Sequence, residues 1–135
     1  MNVLLDTHIW IWWLTGQPDL PAAERAALDR QAANAPPLLS AISLWEAQML
    51  HSRGRLQLRV PFDRWIVDAG LPDVVELVPL TPEVILRLDS LPARFHGDPA
   101  DRLIVASALS RDVPLHTHDR MIRRSRVAPI WKPHA

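Results

Sequence analysis

The 135-residue sequence contains no cysteine, and lysine supplies only one (Lys132) of its 15 cationic side chains. The lack of cysteine excludes disulfides, zinc–thiolate sites and cysteine nucleophiles. Such a chain suits a reducing compartment, and we expect a cytoplasmic protein. The dominance of arginine among the cations favours bidentate contacts to phosphate or carboxylate groups.

Long apolar runs are also lacking. No stretch approaches the roughly 20 residues that cross a bilayer, and the N-terminus has no basic signal-peptide region, so we expect no membrane association. The formal net charge is +0, whereas proteins that coat nucleic acids are strongly basic, so any nucleic-acid contact must come from a local patch. Two arginine clusters are candidates: Arg53, Arg55 and Arg59, and Arg123, Arg124 and Arg126.

Short apolar runs alternate with helical patterns along the chain, which is typical of an α/β fold. Strands are predicted at 3–5, 38–40, 74–80 and 113–117, with a last edge strand at 128–131. The expected architecture is a three-layer α/β/α sandwich around a mostly parallel sheet. The 48% hydrophobic content supports one core, and no linker divides the chain, so residues 1–135 are expected to form a single domain.

Helix boundaries are marked by residues with known end preferences. Gly16 ends the first helix, while Thr81 and Asp98 each precede a proline and are predicted N-caps. Ser43 is the predicted N-cap of the helix that carries Glu46. These two residues also fit a capping box, because three positions separate them.

Four acids occupy related places in this pattern. Asp6 and Asp119 follow predicted strands, and Glu46 and Asp101 fall in the first turns of predicted helices. Each has a structural explanation as a cap or first-turn acid. In a parallel sheet, however, strand carboxyl ends and helix N-termini share one edge. Four carboxylates gathered there repel one another by several kcal/mol, which predicts a site for Mg²⁺ or Mn²⁺.

The segments "LLDTHIWIWWL", "SLWEAQ", "DPADRLIVASAL" and "LHTHD" resemble the four signature segments of the PIN domain, in particular those of the VapC-type toxins of bacterial toxin–antitoxin pairs. The resemblance implies a PIN-like ribonuclease that uses Mg²⁺ or Mn²⁺. It also implies that the metal-binding and catalytic acids are Asp6, Glu46, Asp101 and Asp119. Thr117 matches a hydroxyl position that helps to order such sites, and Asp98 is expected to act as a cap that assists.

Several further residues are candidates for contacts with substrate or partners. Arg102 or Arg120, each beside an acid, is expected either to contact the RNA phosphate or to form a surface salt bridge. The resemblance also implies a cognate antitoxin and a homodimer. Trp12 lies off the helix face shared by Trp10 and Trp13, so we expect it to be exposed at an interface.

Two alternative functions remain open from the sequence: another magnesium-dependent phosphohydrolase, such as a small phosphatase, and a non-catalytic RNA- or protein-binding module whose acids are only caps. The roles of His116 and His118 are open as well. Their side chains are predicted to face the same way from one strand. They form either a His-x-His metal pair or ordinary polar residues at a strand end.

Overall fold

The computed structural model of the chain describes residues 2–95 and 97–133. Within these residues four short strands alternate with seven helices. In chain order the elements are β1 (Leu4–Leu5), α1 (Thr7–Thr15), α2 (Ala22–Asn34), β2 (Leu38–Ser40), α3 (Ile42–Ser52), α4 (Phe62–Ala69), β3 (Glu76–Val78), α5 (Pro82–Asp89), α6 (Pro99–Arg111), β4 (Leu115–His116) and α7 (Arg120–Ser125). None of these helices is long and apolar enough to cross a membrane.

The four strands form one sheet in the order β3-β2-β1-β4, and every neighbouring pair is parallel. The central strand β1 pairs Leu4 with Leu38 on one side and with Leu115 on the other. The prediction of a mostly parallel sheet is therefore confirmed. All four strand carboxyl ends point to the same edge.

Helices cover both faces of this sheet, because successive strand residues point to opposite sides. Leu4 and Leu38 belong to a buried cluster with residues of α5, α6 and α7. Leu5 and Leu39 belong to a second cluster with residues of α1, α2, α3 and α4. Two cores separated by one sheet make the three-layer α/β/α arrangement that the sequence predicted.

The start of α3 differs from the prediction. Its N-cap is Ala41, which already has helical dihedral angles (φ −55°, ψ −28°) directly after β2. Ser43 therefore lies inside the first turn, where it is fully buried and its hydroxyl contacts that of Thr7 at 2.8 Å. The predicted capping role of Ser43 was wrong because the helix begins two residues earlier.

The predicted edge strand at 128–131 is reduced to a single parallel bridge between Leu115 and Ile130. The Leu115 N–H donates to the carbonyl of Pro129, and the Trp131 N–H donates to the carbonyl of Leu115. Pro129 and Pro133 have no N–H of their own to continue the pairing. The bridge nevertheless holds Trp131 against β4.

Candidate active site

The four predicted acids line a single cavity of about 360 Å³ at the carboxyl edge of the sheet. Asp6 follows β1, Asp119 follows β4, and Glu46 and Asp101 project from α3 and α6. The cavity wall comprises Asp6, His8, Ile9, Trp12, Glu46, Asp98, Asp101, His118 and Asp119. Residues that lie more than 110 positions apart in the sequence thus meet at one place.

Asp6 is held by two hydrogen bonds, one to each carboxylate oxygen. Oδ1 accepts from the backbone N–H of Thr7 at 2.8 Å, which makes Asp6 the N-cap of α1. Oδ2 accepts from the hydroxyl of Thr117 at 2.6 Å. The same hydroxyl accepts from the backbone N–H of Asp119 at 3.0 Å. Thr117 therefore links two of the four acids, and the capping role of Asp6 coexists with its place in the cavity.

Glu46 is oriented by hydroxyl groups on two helices. The hydroxyl of Thr7 donates to Glu46 Oε1 and contacts the buried hydroxyl of Ser43. The capping-box prediction was wrong, because the Glu46 carboxylate accepts from the hydroxyl of Thr7 in α1 and not from the backbone at the start of α3. Neither Thr7 nor Ser43 was identified as a site residue from the sequence, since their partners lie 39 and 36 positions away.

The remaining acids stand at the starts of α6 and α7. Asp98 Oδ1 accepts from the Asp101 N–H at 2.8 Å and caps α6. Asp119 Oδ1 accepts from the Ile122 N–H at 2.9 Å and caps α7. Gly97, directly before Asp98, leaves room for the start of α6, because a Cβ at position 97 would lie 2.7 Å from Phe95 Cζ and 3.2 Å from Asp101 Cβ.

The electrostatics of the cavity disfavour four ionised carboxyls. Burial, followed by the charges of Asp98 and the other cavity acids, raises the pKa of Asp101 to about 7. Burial is also the main cause that raises the pKa of Asp6 and of Glu46. Among the described residues no lysine or arginine forms a salt bridge with any of these acids. Oxygen ligands with uncompensated negative charge suit a hard divalent cation.

The sequence also singled out three side chains that are not acids: Arg102, Arg120 and Trp12. Arg102 donates to the carbonyl of Phe95 at 3.0 Å and is not part of the cavity wall. Arg120 lines a neighbouring cavity with Arg123 and Lys132. The expected exposure of Trp12 is met only in part: its ring is half-buried and lies 5.7 Å from the ring of His8 and 5.9 Å from that of His118. It forms part of the cavity wall, because α1 starts at the sheet edge.

A second polar cluster adjoins the acid cavity. The Nε2 atoms of His116 and His118 each lie 2.7 Å from Glu24 Oε1, so the two imidazoles face the same way as predicted. His116 is only 2% exposed, and burial lowers its pKa, which favours the neutral ring. The sequence did not identify Glu24, whose partners are 92 and 94 positions away.

Comparisons with known proteins agree with this architecture. A family model described as PIN domain matches residues 3–127. The chain is 37% identical over 125 residues to Ribonuclease VapC22 from Mycobacterium tuberculosis (strain ATCC 25618 / H37Rv), an alignment that covers 93% of this chain and 92% of that protein.

The fold is similar to a chain in the crystal structure of VapBC2 from Rickettsia felis bound to a DNA fragment from their promoter. The TM-score is 0.73 at 19% sequence identity, and the match covers 97% of this chain and 98% of that chain. At that identity the likeness concerns the fold.

Proposed function

Because this chain belongs to the PIN domain family, we propose that it is a metal-dependent endoribonuclease that acts as the toxin of a toxin–antitoxin pair. The proposal draws on its 37% identity to a protein named as a ribonuclease. The observation that carries it is the cavity in which Asp6, Glu46, Asp101 and Asp119 face one another with no cationic side chain bound to them among the described residues.

The donor set fits Mg²⁺ or Mn²⁺, which prefer carboxylate oxygens, and these four acids are the residues that would hold the ion. When bound, a divalent ion supplies a water of lowered pKa and relieves negative charge on the phosphate. Loading also requires the carboxyls to be ionised. Asp101, whose pKa is raised to about 7, is partly protonated at neutral pH and would release that proton on loading.

The chain's own residues orient the acids and the substrate. Thr117 fixes Asp6 and the backbone of Asp119 through one hydroxyl, and Thr7 fixes Glu46. A carboxylate held in this way accepts the proton of an attacking water without having to reorient. Arg120, Arg123 and Lys132 line the adjoining cavity and supply positive charge for the RNA backbone beside the acids. Asp98 assists by capping α6.

The decisive test compares cleavage of RNA by the metal-stripped chain with and without added Mg²⁺ or Mn²⁺. We expect cleavage only with metal, and none by Asp101→Asn. Asp112→Asn is the matched control, because Asp112 lies exposed at the opposite end of the same helix. Hydrolysis of small phosphate esters but not of RNA would favour a phosphatase, and binding of RNA without cleavage would favour a non-catalytic module.

The antitoxin partner and the cytoplasmic location belong to the same proposal. We infer that the antitoxin inserts an arginine or lysine into the acid cavity, where it neutralises the cluster and competes with the metal. Trp12 in the cavity wall, and Trp45, which precedes Glu46 in the sequence and is 51% exposed, offer apolar contacts to residues that flank that cation. Co-expression with the product of the adjacent gene should protect the cavity from metal; failure to do so would remove the toxin assignment and leave the nuclease.

We also propose one nuclease domain over residues 1–135 and a homodimer. Acids from near both ends of the chain share one cavity, which a division into domains would separate. Exposed apolar side chains occur from the edge strand β3 through the following connection into helix α5, at Leu77, Leu80, Ile85 and Leu86. A second copy covering this face would bury them. Sedimentation of the purified chain should show a dimer, and Leu86→Glu should convert it to a monomer.

A further inference from the structure

The cluster of Glu24, His116 and His118 lies outside the four acids, although His118 lines both cavities. Three elements bring it together: Glu24 stands in the first turn of α2, His116 ends β4, and His118 follows two residues later. One ligand atom from each residue lies within 4.8 Å of the other two. Both imidazoles thus direct Nε2 at a single carboxylate.

Hydrogen bonding by itself gives a weak reason for this arrangement. His116 is almost fully buried, and its Nδ1 has no hydrogen-bond partner among the described residues. Leaving a buried polar atom unpaired destabilises the folded protein. The polar function of this ring is therefore confined to Nε2, which meets Glu24. An apolar side chain in the same position would avoid this destabilisation. The presence of a histidine therefore indicates a function for its Nε2 atom.

We propose that Glu24, His116 and His118 bind a transition-metal ion, with Zn²⁺ as the principal candidate. Two imidazole nitrogens and one carboxylate oxygen are a ligand set that zinc takes in proteins, with a fourth position left to water or another ligand. Imidazole selects zinc and its neighbours in the first transition row over Mg²⁺. The site differs in kind from the acid cavity, whose described ligands are carboxylates.

The geometry requires little adjustment to admit the ion. Tetrahedral ligands at zinc distances lie about 3.3 Å apart, against the 2.7 Å that separates each Nε2 from Glu24 Oε1. The side chains of Glu24 and His118 are 18% and 33% exposed and have space to move. The ring of His116 is held by that of Trp131, at a centroid distance of 4.4 Å.

The surroundings favour an anionic fourth ligand. The open side of the cluster is lined by Arg120, Arg123 and Lys132, and these cations offset the charge of a hydroxide, chloride or phosphate oxygen on the metal. An ion here would join the start of α2 to the segment that carries Thr117 and Asp119. Its expected role is structural, since it fixes the backbone from which two acid-site residues project.

The test measures Zn²⁺ binding to the full chain with the acid cavity disabled by Asp6→Asn and Asp101→Asn. We expect one Zn²⁺ per chain in the micromolar range or tighter, and a rise in Tm on binding. Co²⁺ in its place should give the visible absorption bands of a four-coordinate ion. Adding Glu24→Gln or His118→Asn should weaken Zn²⁺ binding by at least about tenfold.

Glu83→Gln and His51→Asn are the matched controls, because both residues are exposed and lie outside the cluster. They should leave Zn²⁺ affinity unchanged. A readout that needs no cluster variant is the nitrogen resonances of the histidine side chains: those of His116 and His118 should shift with Zn²⁺ while those of His51 stay. Absence of Zn²⁺ binding, or binding that Glu24→Gln and His118→Asn leave intact, would overturn the proposal. Neither result depends on nuclease activity.

Discussion

The acid cavity and the Glu24–His116–His118 cluster adjoin each other around residues 116–119, yet they differ in how charge is balanced. In the cavity, carboxyls face carboxyls, and burial with mutual repulsion raises the pKa of Asp101 to about 7. In the cluster, burial raises the pKa of the Glu24 carboxylate, but the hydrogen bonds and charges of two imidazoles outweigh it, so that the pKa is lowered overall. The acid cavity has no compensating lysine or arginine among the described residues, whereas the carboxylate of the cluster has two hydrogen-bond donors that a bound ion would replace. The two sites therefore differ in what an ion would have to displace.

The largest effect should come from removing an acid that lies in the cavity. We expect Asp6→Asn to lower metal-dependent RNA cleavage by more than about 100-fold, which exceeds the loss expected for a residue that only hydrogen-bonds to a metal ligand, without loss of the fold. Asparagine still caps α1 and relieves repulsion in the metal-free protein. Asp63→Asn is the matched control, since exposed Asp63 makes the same contact to the next backbone N–H. Equal activity of the Asp6→Asn and Asp63→Asn variants would mean that Asp6 acts only as a helix cap.

The next effect concerns the hydroxyl that joins two acids. Thr117→Val keeps the side-chain shape but leaves Asp6 Oδ2 and the Asp119 N–H without their partner. We expect about 1–3 kcal/mol lower free energy of unfolding and about tenfold less cleavage. Denaturant unfolding and RNA cleavage measure the two effects. Thr117→Ser, which retains the hydroxyl, should restore both, and a serine variant as impaired as the valine variant would contradict the role of that hydroxyl.

A smaller effect should appear in the pH dependence of stability, where the two regions act in opposite directions. The folded-state pKa of Asp101 is raised from 3.8 to about 7, so the metal-free protein binds more protons folded than unfolded and loses stability as pH rises through that window. The pKa of His116 is lowered from 6.5, so its contribution is lost as pH falls below that value.

Thermal unfolding of the metal-free protein between pH 5 and pH 8 separates these terms. Asp101→Asn should reduce the decline toward neutral pH and leave the part that comes from Asp6 and Glu46, whose pKa values are also raised. Saturating Mg²⁺ should flatten the same decline in the unsubstituted chain, because the ion replaces the proton as the compensating charge. A decline that is as steep in Asp101→Asn as in the unsubstituted chain would assign it to other groups.

The smallest effect is expected at the rim of the cavity. Asp98 is exposed and caps α6, and asparagine caps about as well as aspartate. Asp98→Asn should therefore change the free energy of unfolding by no more than about 0.5 kcal/mol and cleavage by less than about tenfold. Calorimetry and the RNA assay measure both quantities, and a loss of cleavage as large as that of Asp6→Asn would make Asp98 a fifth metal ligand.

The sequence predicted the sheet, the helix order and the place of the acids because their signals are local. Apolar runs identify strands, and Thr81 and Asp98 before prolines identify helix starts. The topology of a parallel sheet then brings Asp6 and Asp119 to one edge without knowledge of any side-chain contact. The segment motifs that resemble the PIN domain extend over most of the chain and pointed to the same edge.

What the sequence did not reveal depends on distant partners. From the sequence alone, Glu24 is an ordinary acid in the first turn of a helix, and its contact with His116 exists only because α2 packs beside β4. Thr7 is likewise an ordinary helix residue, and its contact with Glu46 exists only because α3 packs beside α1. The burial of Trp12 depends on the loop after β4, which brings His118 to within 5.9 Å. Helical spacing shows which residues of one helix lie on the same face. It does not show what that face contacts, because tertiary packing decides that.

The pairing of β1 with both β2 and β4 has a consequence for the order of events during synthesis. The central strand is made from residues 4–5, but one of its neighbours comes from residues 115–116. A chain emerging from the ribosome at roughly 5–20 residues per second thus carries Asp6 for several seconds before Thr117 and Asp119 exist. Contacts of such long sequence separation form late in folding. The cavity is completed only after residues 115–119 have been made, so a nascent chain that ends before them cannot yet bring the four acids together.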